Sequence, residues 1–80
     1  MYAEELLQII VEEVVDQGTP VIIERTIDER GTLMKVILPE SGMPQVIGKS
    51  GQMALALRTI MRSVGRKEDA RISVKIEVGQ

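Results

Sequence analysis

The chain has 80 residues, a formal net charge of −2, and neither cysteine nor histidine. A disulfide framework and thiolate chemistry are thereby excluded, and the usual protein ligand for a metal ion is missing, so neither a cofactor nor a bound metal is expected. A hydrophobic content of 44% with Tyr2 as the only aromatic residue predicts one small domain over residues 1–80, built on an aliphatic core.

The first half of the chain predicts a helix followed by a β-hairpin. Residues 3–17 repeat apolar side chains at helical spacing, and Gly18 is a natural stop. The apolar positions of this helix are Ala3, Leu7, Ile10, Val11 and Val14. Strands are predicted at 20–27 and 33–38, separated by a polar turn at 28–31 that ends in glycine.

The second strand places two apolar residues, Leu33 and Ile37, on what should be the open face of the sheet. Single apolar residues are common on protein surfaces, so this pattern needs no special explanation. The alternative interpretation is a surface that contacts a partner protein.

A short helix is predicted after Pro39, with Ser41 as its N-cap and Pro44 in its first turn. Met43 and Ile47 are four residues apart and should both face the core.

The most regular helix is predicted at 52–64, closed by Gly65. Its buried stripe should consist of Met53, Leu57, Ile60, Met61 and Val64. Arg58, Arg62 and Arg66 recur every four residues on the opposite side, with Leu55 exposed among them. This arginine face is either a solubilising surface or a track for a phosphate backbone.

Residues 71–78 alternate strictly, which predicts a strand with Ile72, Val74, Ile76 and Val78 directed inward. The resulting order is α-β-β-α-α-β. The two helices between the second and third strands favour a parallel pairing of those strands. We therefore expect an α+β fold with a three-stranded mixed sheet and three helices on one face.

The segment Val46-Ile47-Gly48-Lys49-Ser50-Gly51 lies between the last two helices. Two glycines allow conformations that a Cβ resists, and the following helix directs its first amides and its positive dipole end into this loop. Lys49 adds a full charge, so the loop is suited to a phosphate oxygen. The simpler interpretation is a corner between two helices with a C-cap glycine.

The element order, the GxxG loop, the Ala56-Leu57-Arg58-Thr59 block and the alternating last strand resemble a type II KH domain, and the bacterial KhpA (YlqC-type) single-KH RNA-binding proteins in particular. The resemblance covers nearly the whole chain. Gln52 and Leu55 stand where basic residues are common in that family, which predicts weaker binding and a smaller salt dependence.

The resemblance implies an RNA site made of a clamping loop and a groove for about four single-stranded nucleotides. By the resemblance, Gly48, Lys49, Ser50 and Gly51 correspond to the phosphate-contacting loop, with Val46 and Ile47 beside it. The further predicted RNA-binding residues are Gln52, next to the loop, and Arg58 and Arg62, which belong to the possible phosphate track. Val46, Ile47 and Met53 are candidates for the apolar floor of the groove, and equally candidates for the core. The resemblance also implies a homodimer or a heterodimer with a second KH-containing protein.

Three classes of function follow from these observations. The first is an RNA-binding protein, acting as an RNA chaperone or post-transcriptional regulator. The second is a protein-interaction module with vestigial RNA binding, using Leu33, Ile37 and Leu55 as contacts. The third is a nucleotide-binding enzyme, which we reject because five residues separate Gly42 from Gly48 where a phosphate loop has four. No apolar run reaches the ~20 residues that span a bilayer and no signal peptide is evident, so a cytoplasmic location is expected.

Overall fold

The computed structural model describes residues 2–79, and within them the predicted element order is confirmed. The helices are α1 (Tyr2–Val14), α2 (Met43–Ile47) and α3 (Gln52–Lys67), and the strands are β1 (Ile22–Asp28), β2 (Gly31–Leu38) and β3 (Ile72–Val78). One 3-10 turn, Glu40–Gly42, precedes α2, and another, Lys49–Gly51, joins α2 to α3.

The three strands form one mixed sheet in the order β1-β2-β3. β1 and β2 are antiparallel, with Ile23 opposite Val36, and β2 and β3 are parallel, with Met34 opposite Val74. The predicted hairpin and the predicted parallel pair are both confirmed. β1 and β3 are consequently the two edges of this sheet.

All three helices cover one face of the sheet, as expected for this α+β fold. The core consists of apolar side chains from every helix and from the inward positions of β2 and β3, and its fully buried members include Leu7, Met34, Val36, Val46, Leu57 and Met61. Because side chains alternate along a strand, Leu33 and Ile37 lie on the open face, where both are half-buried. Between residues 2 and 79, no helix combines the length and the apolar character needed to cross a lipid bilayer.

The predicted end of α3 at Gly65 is wrong, because the helix continues to Lys67. A Cβ at Gly65 would lie 2.7 Å from the carbonyl oxygen of Ala70 and 3.1 Å from Cγ1 of Ile72. The amide of Ala70 also donates to the carbonyl of Gly65 at 2.7 Å. Glycine at this position therefore permits a close approach of the chain that leads into β3.

The prediction that Ser41 caps α2 is also wrong. Ser41 lies inside the preceding 3-10 turn, and the N-cap of α2 is Gly42, without a hydrogen bond from a capping side chain. Pro44 does occupy the first turn of α2, as predicted. α1 ends at Val14, three residues before its expected end.

Three residues predicted to be buried are exposed: Ile47 by 38%, Ile60 by 42% and Val78 by 56%. The buried face of α3 instead includes Ala54, Leu57, Met61 and Gly65, and Ile60 is about 100° around the helix from Met61. Val78 is the last residue of an edge strand, where cover by the helices ends.

Candidate nucleic-acid interface

The loop Gly48–Gly51, here called the GKSG loop, breaks the path between α2 and α3. Gly48 has φ 76° and ψ 176°, Ser50 has φ 57° and ψ 26°, and Gly51 has φ 75° and ψ 11°. These positive φ values interrupt the helix, so α2 and α3 are separate elements with a sharp corner between them. The corner is closed by a hydrogen bond of 3.2 Å from the amide of Gly51 to the carbonyl of Gly48.

The two glycines of the GKSG loop serve different purposes. A Cβ at Gly48 would lie 2.6 Å from Cβ of Met53 and 2.9 Å from its backbone nitrogen, so the start of α3 packs directly on Gly48. A Cβ at Gly51 would meet no described atom within 4 Å. The outer side of the corner is therefore open, and Lys49 and Ser50 are exposed there.

The GKSG loop leads into the N-terminus of α3, a helix of 16 residues. Its N-cap is Gly51, and no side chain forms a capping hydrogen bond at this end in the described structure. The positive end of the helix dipole and the charge of Lys49 consequently add at one exposed site. Gln52, the first residue of α3, is exposed beside them.

A groove lies between α3 and the edge strand β3, and we call it the arginine groove. It encloses about 670 Å³ and is lined by Arg58, Arg62, Arg66, Ala70, Arg71, Ile72, Ser73 and Val74. Arg58 is anchored there, because its Nε donates to the carbonyl oxygen of Val74 at 3.3 Å. Arg66 donates from Nη2 to Oγ of Ser63 at 3.1 Å.

The four arginines of the arginine groove are not neutralised within the described part of the chain. The ion pairs of that part, with N–O distances of at most 4.0 Å, are Arg25–Glu4, Arg30–Asp28, Lys35–Glu77 and Lys75–Glu77. None involves an arginine of the groove. Because no carboxylate is among the residues that line it, the groove offers guanidinium donors to an anionic ligand.

The first half of the chain is acidic and the second half is basic, which the net charge of −2 does not show. Residues 1–40 contain nine acidic and three basic side chains, whereas residues 41–80 contain three acidic and seven basic ones. α1 packs on β1 and α3 packs on β3, which are opposite edges of the sheet. The acidic helix and the arginine groove thus lie on opposite sides of the fold.

The structure places the predicted site residues in three groups. Gly48, Lys49, Ser50, Gly51 and Gln52 form one continuous corner, in which Lys49, Ser50 and Gln52 are exposed and the two glycines are half-buried. Arg58 and Arg62 follow on α3, roughly 9 and 15 Å along the helix axis from Gln52, and both line the arginine groove.

The third group comprises the candidates for an apolar floor. Val46 is 0% exposed and belongs to the core, so of the two interpretations given for it, the structure favours the core. Met53 is half-buried and packs on the core, whereas Ile47 remains accessible.

Arg71 and Ser73 were missed as site residues by the sequence reasoning. The strand pattern placed both on the outward positions of β3, which was the available signal. What the pattern could not show is that the chain turns back after α3, so that the first residues of β3 line the same groove as Arg62 and Arg66.

Comparison with known proteins identifies the family to which this chain belongs. A family model described as "KhpA/KhpB, KH domain" matches residues 4–76. The chain belongs to this KH-domain family. KH domains carry a GxxG loop that clamps the backbone of four nucleotides, and the GKSG loop has that sequence pattern.

Several curated relatives in this KH family are similar along most of their length. RNA-binding protein KhpA of Listeria monocytogenes is 36% identical over 73 residues, which cover 91% of this chain and 96% of the relative. RNA-binding protein KhpA of Clostridium perfringens is 30% identical over 73 residues, covering 91% and 97%. RNA-binding protein KhpA of Aquifex aeolicus is 29% identical over 73 residues, covering 91% and 92%.

Proposed function

We propose that this protein binds single-stranded RNA, with the GKSG loop clamping the backbone of about four nucleotides. The observation that carries the proposal is the open corner at the N-terminus of α3. Two glycines remove side-chain bulk there, Gly51 has free space around it, and Lys49 is exposed beside an uncapped helix end. The names of the curated relatives, each an RNA-binding protein, support the same function.

The arginine groove provides the path along which the clamped strand continues. Arg58 and Arg62 donate to phosphate oxygens, and Arg58 is held in place by its bond to Val74. Ile47 and Leu55, which are 38% and 61% exposed, provide aliphatic contacts for bases near the loop. Because these contacts are to phosphates and apolar surfaces, binding tolerates many sequences, and its affinity is modest without an aromatic stacking platform.

The decisive experiment is a charge reversal of the loop, Lys49→Asp with Ser50→Asp. Fluorescence anisotropy with a random-sequence single-stranded RNA of eight nucleotides measures binding. The matched control is Ser41→Asp with Lys75→Asp, which changes the net charge equally at exposed positions outside the loop and the arginine groove. We expect the loop variant to lose binding and the control variant to retain most of it.

Circular dichroism and thermal melting establish that both double variants are folded. The loop positions are exposed, so their substitution should leave the core intact. If the loop variant binds RNA as well as the wild type does, the GKSG loop is not the clamp. Equal losses in both variants would instead indicate a response to overall charge.

We further propose that the protein acts on RNA in the cytoplasm, as an RNA chaperone or post-transcriptional regulator. Modest, sequence-tolerant binding suits repeated capture and release of single-stranded segments. Adding the protein to a labelled RNA hairpin with a competing complementary strand tests the chaperone role. Strand exchange should be faster with the wild type than with the loop variant.

A second candidate function is association with another copy or with a second KH-containing protein. The structure separates the three contact residues of that hypothesis, because Leu55 is on α3 whereas Leu33 and Ile37 are on the open sheet face. Ile22 is opposite Ile37 in the sheet and is 52% exposed, so the open face does hold an apolar group. Light scattering after size exclusion tests this candidate: Ile37→Ser should dissociate a dimer, and Leu55→Ser should not.

A further inference from the structure

The helix that leads into the GKSG loop is too short to be rigid on its own. α2 has five residues, Met43–Ile47, and no side chain caps its N-terminus. Helices shorter than about 12 residues are marginal in water unless tertiary contacts hold them. The orientation of the GKSG loop, which directly follows α2, therefore depends on the contacts that hold α2 to the rest of the fold.

Apolar contacts hold α2 from one side. Val46 is fully buried in the core, and Met43 packs against the core. These two residues are three positions apart, so both contacts are on the same face of the helix. Contacts along a single face keep a short helix on the core, but they only weakly resist its rotation about its own axis.

A polar contact holds α2 from a second side. Oε1 of Gln45 accepts a hydrogen bond of 3.2 Å from the amide of Asp16, which is 29 residues earlier in the chain. Gln45 is half-buried and lies about 100° around α2 from Val46. The hydrogen bond therefore restrains the rotation that the apolar contacts leave open.

The turn that donates this hydrogen bond is itself closed and packed. The amide of Thr19 donates to the carbonyl of Asp16 at 3.0 Å, within the connection between α1 and β1. A Cβ at Gly42, the N-cap of α2, would lie 3.2 Å from Cγ2 of Thr19. The α1–β1 turn thus contacts both the N-cap of α2 and Gln45, and it provides a fixed point for the helix.

α2 transmits this restraint to the GKSG loop. The amide of Gly48 donates to the carbonyl of Pro44 at 2.8 Å, so the loop begins as a continuation of the hydrogen bonding of α2. The start of α3 packs on Gly48 through Met53. A rotation of α2 would consequently shift Gly48 against α3 and change the direction of Lys49.

We propose that Gln45 is a positioning residue of the RNA clamp. By holding the amide of Asp16, its side chain keeps α2 and the GKSG loop in the orientation that receives a phosphate backbone. This inference rests on the proposed function and deepens it. Gln45 acts through α2 and makes no contact with the RNA.

The first measurement is made without RNA. Gln45→Met removes the acceptor and keeps a side chain of similar length. Gln17→Met is the matched control, because Gln17 is exposed in the α1–β1 turn and its side chain forms no hydrogen bond within residues 2–79. Nitrogen-15 relaxation gives amide order parameters. We expect Gln45→Met to lower them at residues 48–51, and Gln17→Met to match the wild type.

A conservative variant shows whether the acceptor is responsible. Gln45→Glu retains a side-chain oxygen that accepts from the amide of Asp16, so it should keep the wild-type order parameters at residues 48–51. The comparison is made without RNA, since the added negative charge would itself repel a phosphate backbone. Order parameters lowered as far by Gln45→Glu as by Gln45→Met would overturn the proposal.

The second measurement is RNA binding, by fluorescence anisotropy with the random eight-nucleotide RNA. The net contribution of one hydrogen bond corresponds to about a two- to tenfold change in an equilibrium constant. Loss of the bond lowers the fraction of molecules with a competent loop, so the apparent Kd of Gln45→Met should rise by a factor in that range. Gln17→Met should bind as the wild type does. Urea denaturation establishes that every variant is folded under the conditions of the assay.

The possible results separate this proposal from the proposed function. If the wild type binds no RNA, the proposed function is wrong, and the relaxation data alone then show whether Gln45 holds the loop. If Gln45→Met weakens binding but leaves the order parameters of the loop unchanged, Gln45 is a direct RNA contact and the positioning role is refuted. A loosened loop that binds RNA as tightly as the wild type does would refute it as well.

Discussion

Replacing Gly48 with alanine should destabilise the whole fold, because this glycine is in contact with the helix that follows it. Its φ of 76° and ψ of 176° belong to a region that is essentially restricted to glycine. The added Cβ would also lie 2.6 Å from Cβ of Met53 and 2.9 Å from its nitrogen. Neither atom can rotate away, so α3 itself would have to move.

The expected cost has two parts. Holding alanine in this backbone region costs about 1–3 kcal/mol, and the steric overlap adds about 1–3 kcal/mol. We therefore expect the free energy of unfolding to fall by about 3 kcal/mol, against a total of about 4–12 kcal/mol for a chain of this size. The matched substitution Gly51→Ala meets open space in a left-handed conformation and should cost only about 1 kcal/mol.

Urea denaturation followed by circular dichroism measures both free energies, and thermal melting gives an independent scale of roughly 4–8 °C for each kcal/mol. The two variants should differ by about 2 kcal/mol, which the method resolves. Equal losses for Gly48→Ala and Gly51→Ala would refute the reasoning, since they would show that the contact with Met53 has no energetic weight.

Two further predictions concern α3. Gly65→Ala should lower the free energy of unfolding by about 1–3 kcal/mol, because the added Cβ would lie 2.7 Å from the carbonyl oxygen of Ala70. This steric cost should exceed the gain from the higher helix propensity of alanine. A variant that is more stable than the wild type in urea denaturation would contradict this prediction. Met61→Ala should cost about 2–5 kcal/mol through loss of a side chain with 0% exposure. Leu55→Ala, at a position with 61% exposure, should change the free energy by at most about 0.5 kcal/mol in the same assay.

Much of the fold was predictable because apolar periodicity is strong in every long element. The order of helices and strands, the hairpin and the parallel pair all followed from this pattern and from the two connecting helices. The apolar pattern gave wrong burial predictions where the burial of a residue depends on how far a neighbouring element extends over it. Ile60 fits an apolar helical stripe in the sequence, but the core covers a narrower arc of α3. This arc buries Ala54 and leaves Ile60 exposed. Val78 continues the alternation of β3 beyond the cover of the helices.

Glycines were harder to interpret than apolar residues. Gly65 resembles a helix stop, since the sequence does not show that the chain returns to touch it at Ala70. Conversely, the separate purposes of Gly48 and Gly51 depend on what surrounds each Cα, which only the packing of α3 reveals. A glycine in the sequence indicates that a side chain is disfavoured at that position. The atoms around it show whether the cause is the backbone conformation or a lack of space for a Cβ.

The proposed site was also predictable from the sequence only in part. The GKSG loop and the positions Arg58 and Arg62 were predicted from sequence, whereas the contribution of Arg71 was not, because it depends on where β3 begins relative to the end of α3. The placement of Val46 also depended on tertiary packing, since an apolar residue beside a loop fits a groove floor and a core equally well.

The opposed charges of α1 and the arginine groove have a consequence for encounters with a polyanion. At long range the molecule carries only its net charge of −2 and is weakly repelled. Once the separation falls to the Debye length of about 8 Å at physiological ionic strength, a strand senses the two flanks individually. The acidic flank is pushed outward and the basic flank is drawn inward, so the field exerts a torque that turns α3 toward the strand. Unproductive collisions on the wrong side are thereby short-lived.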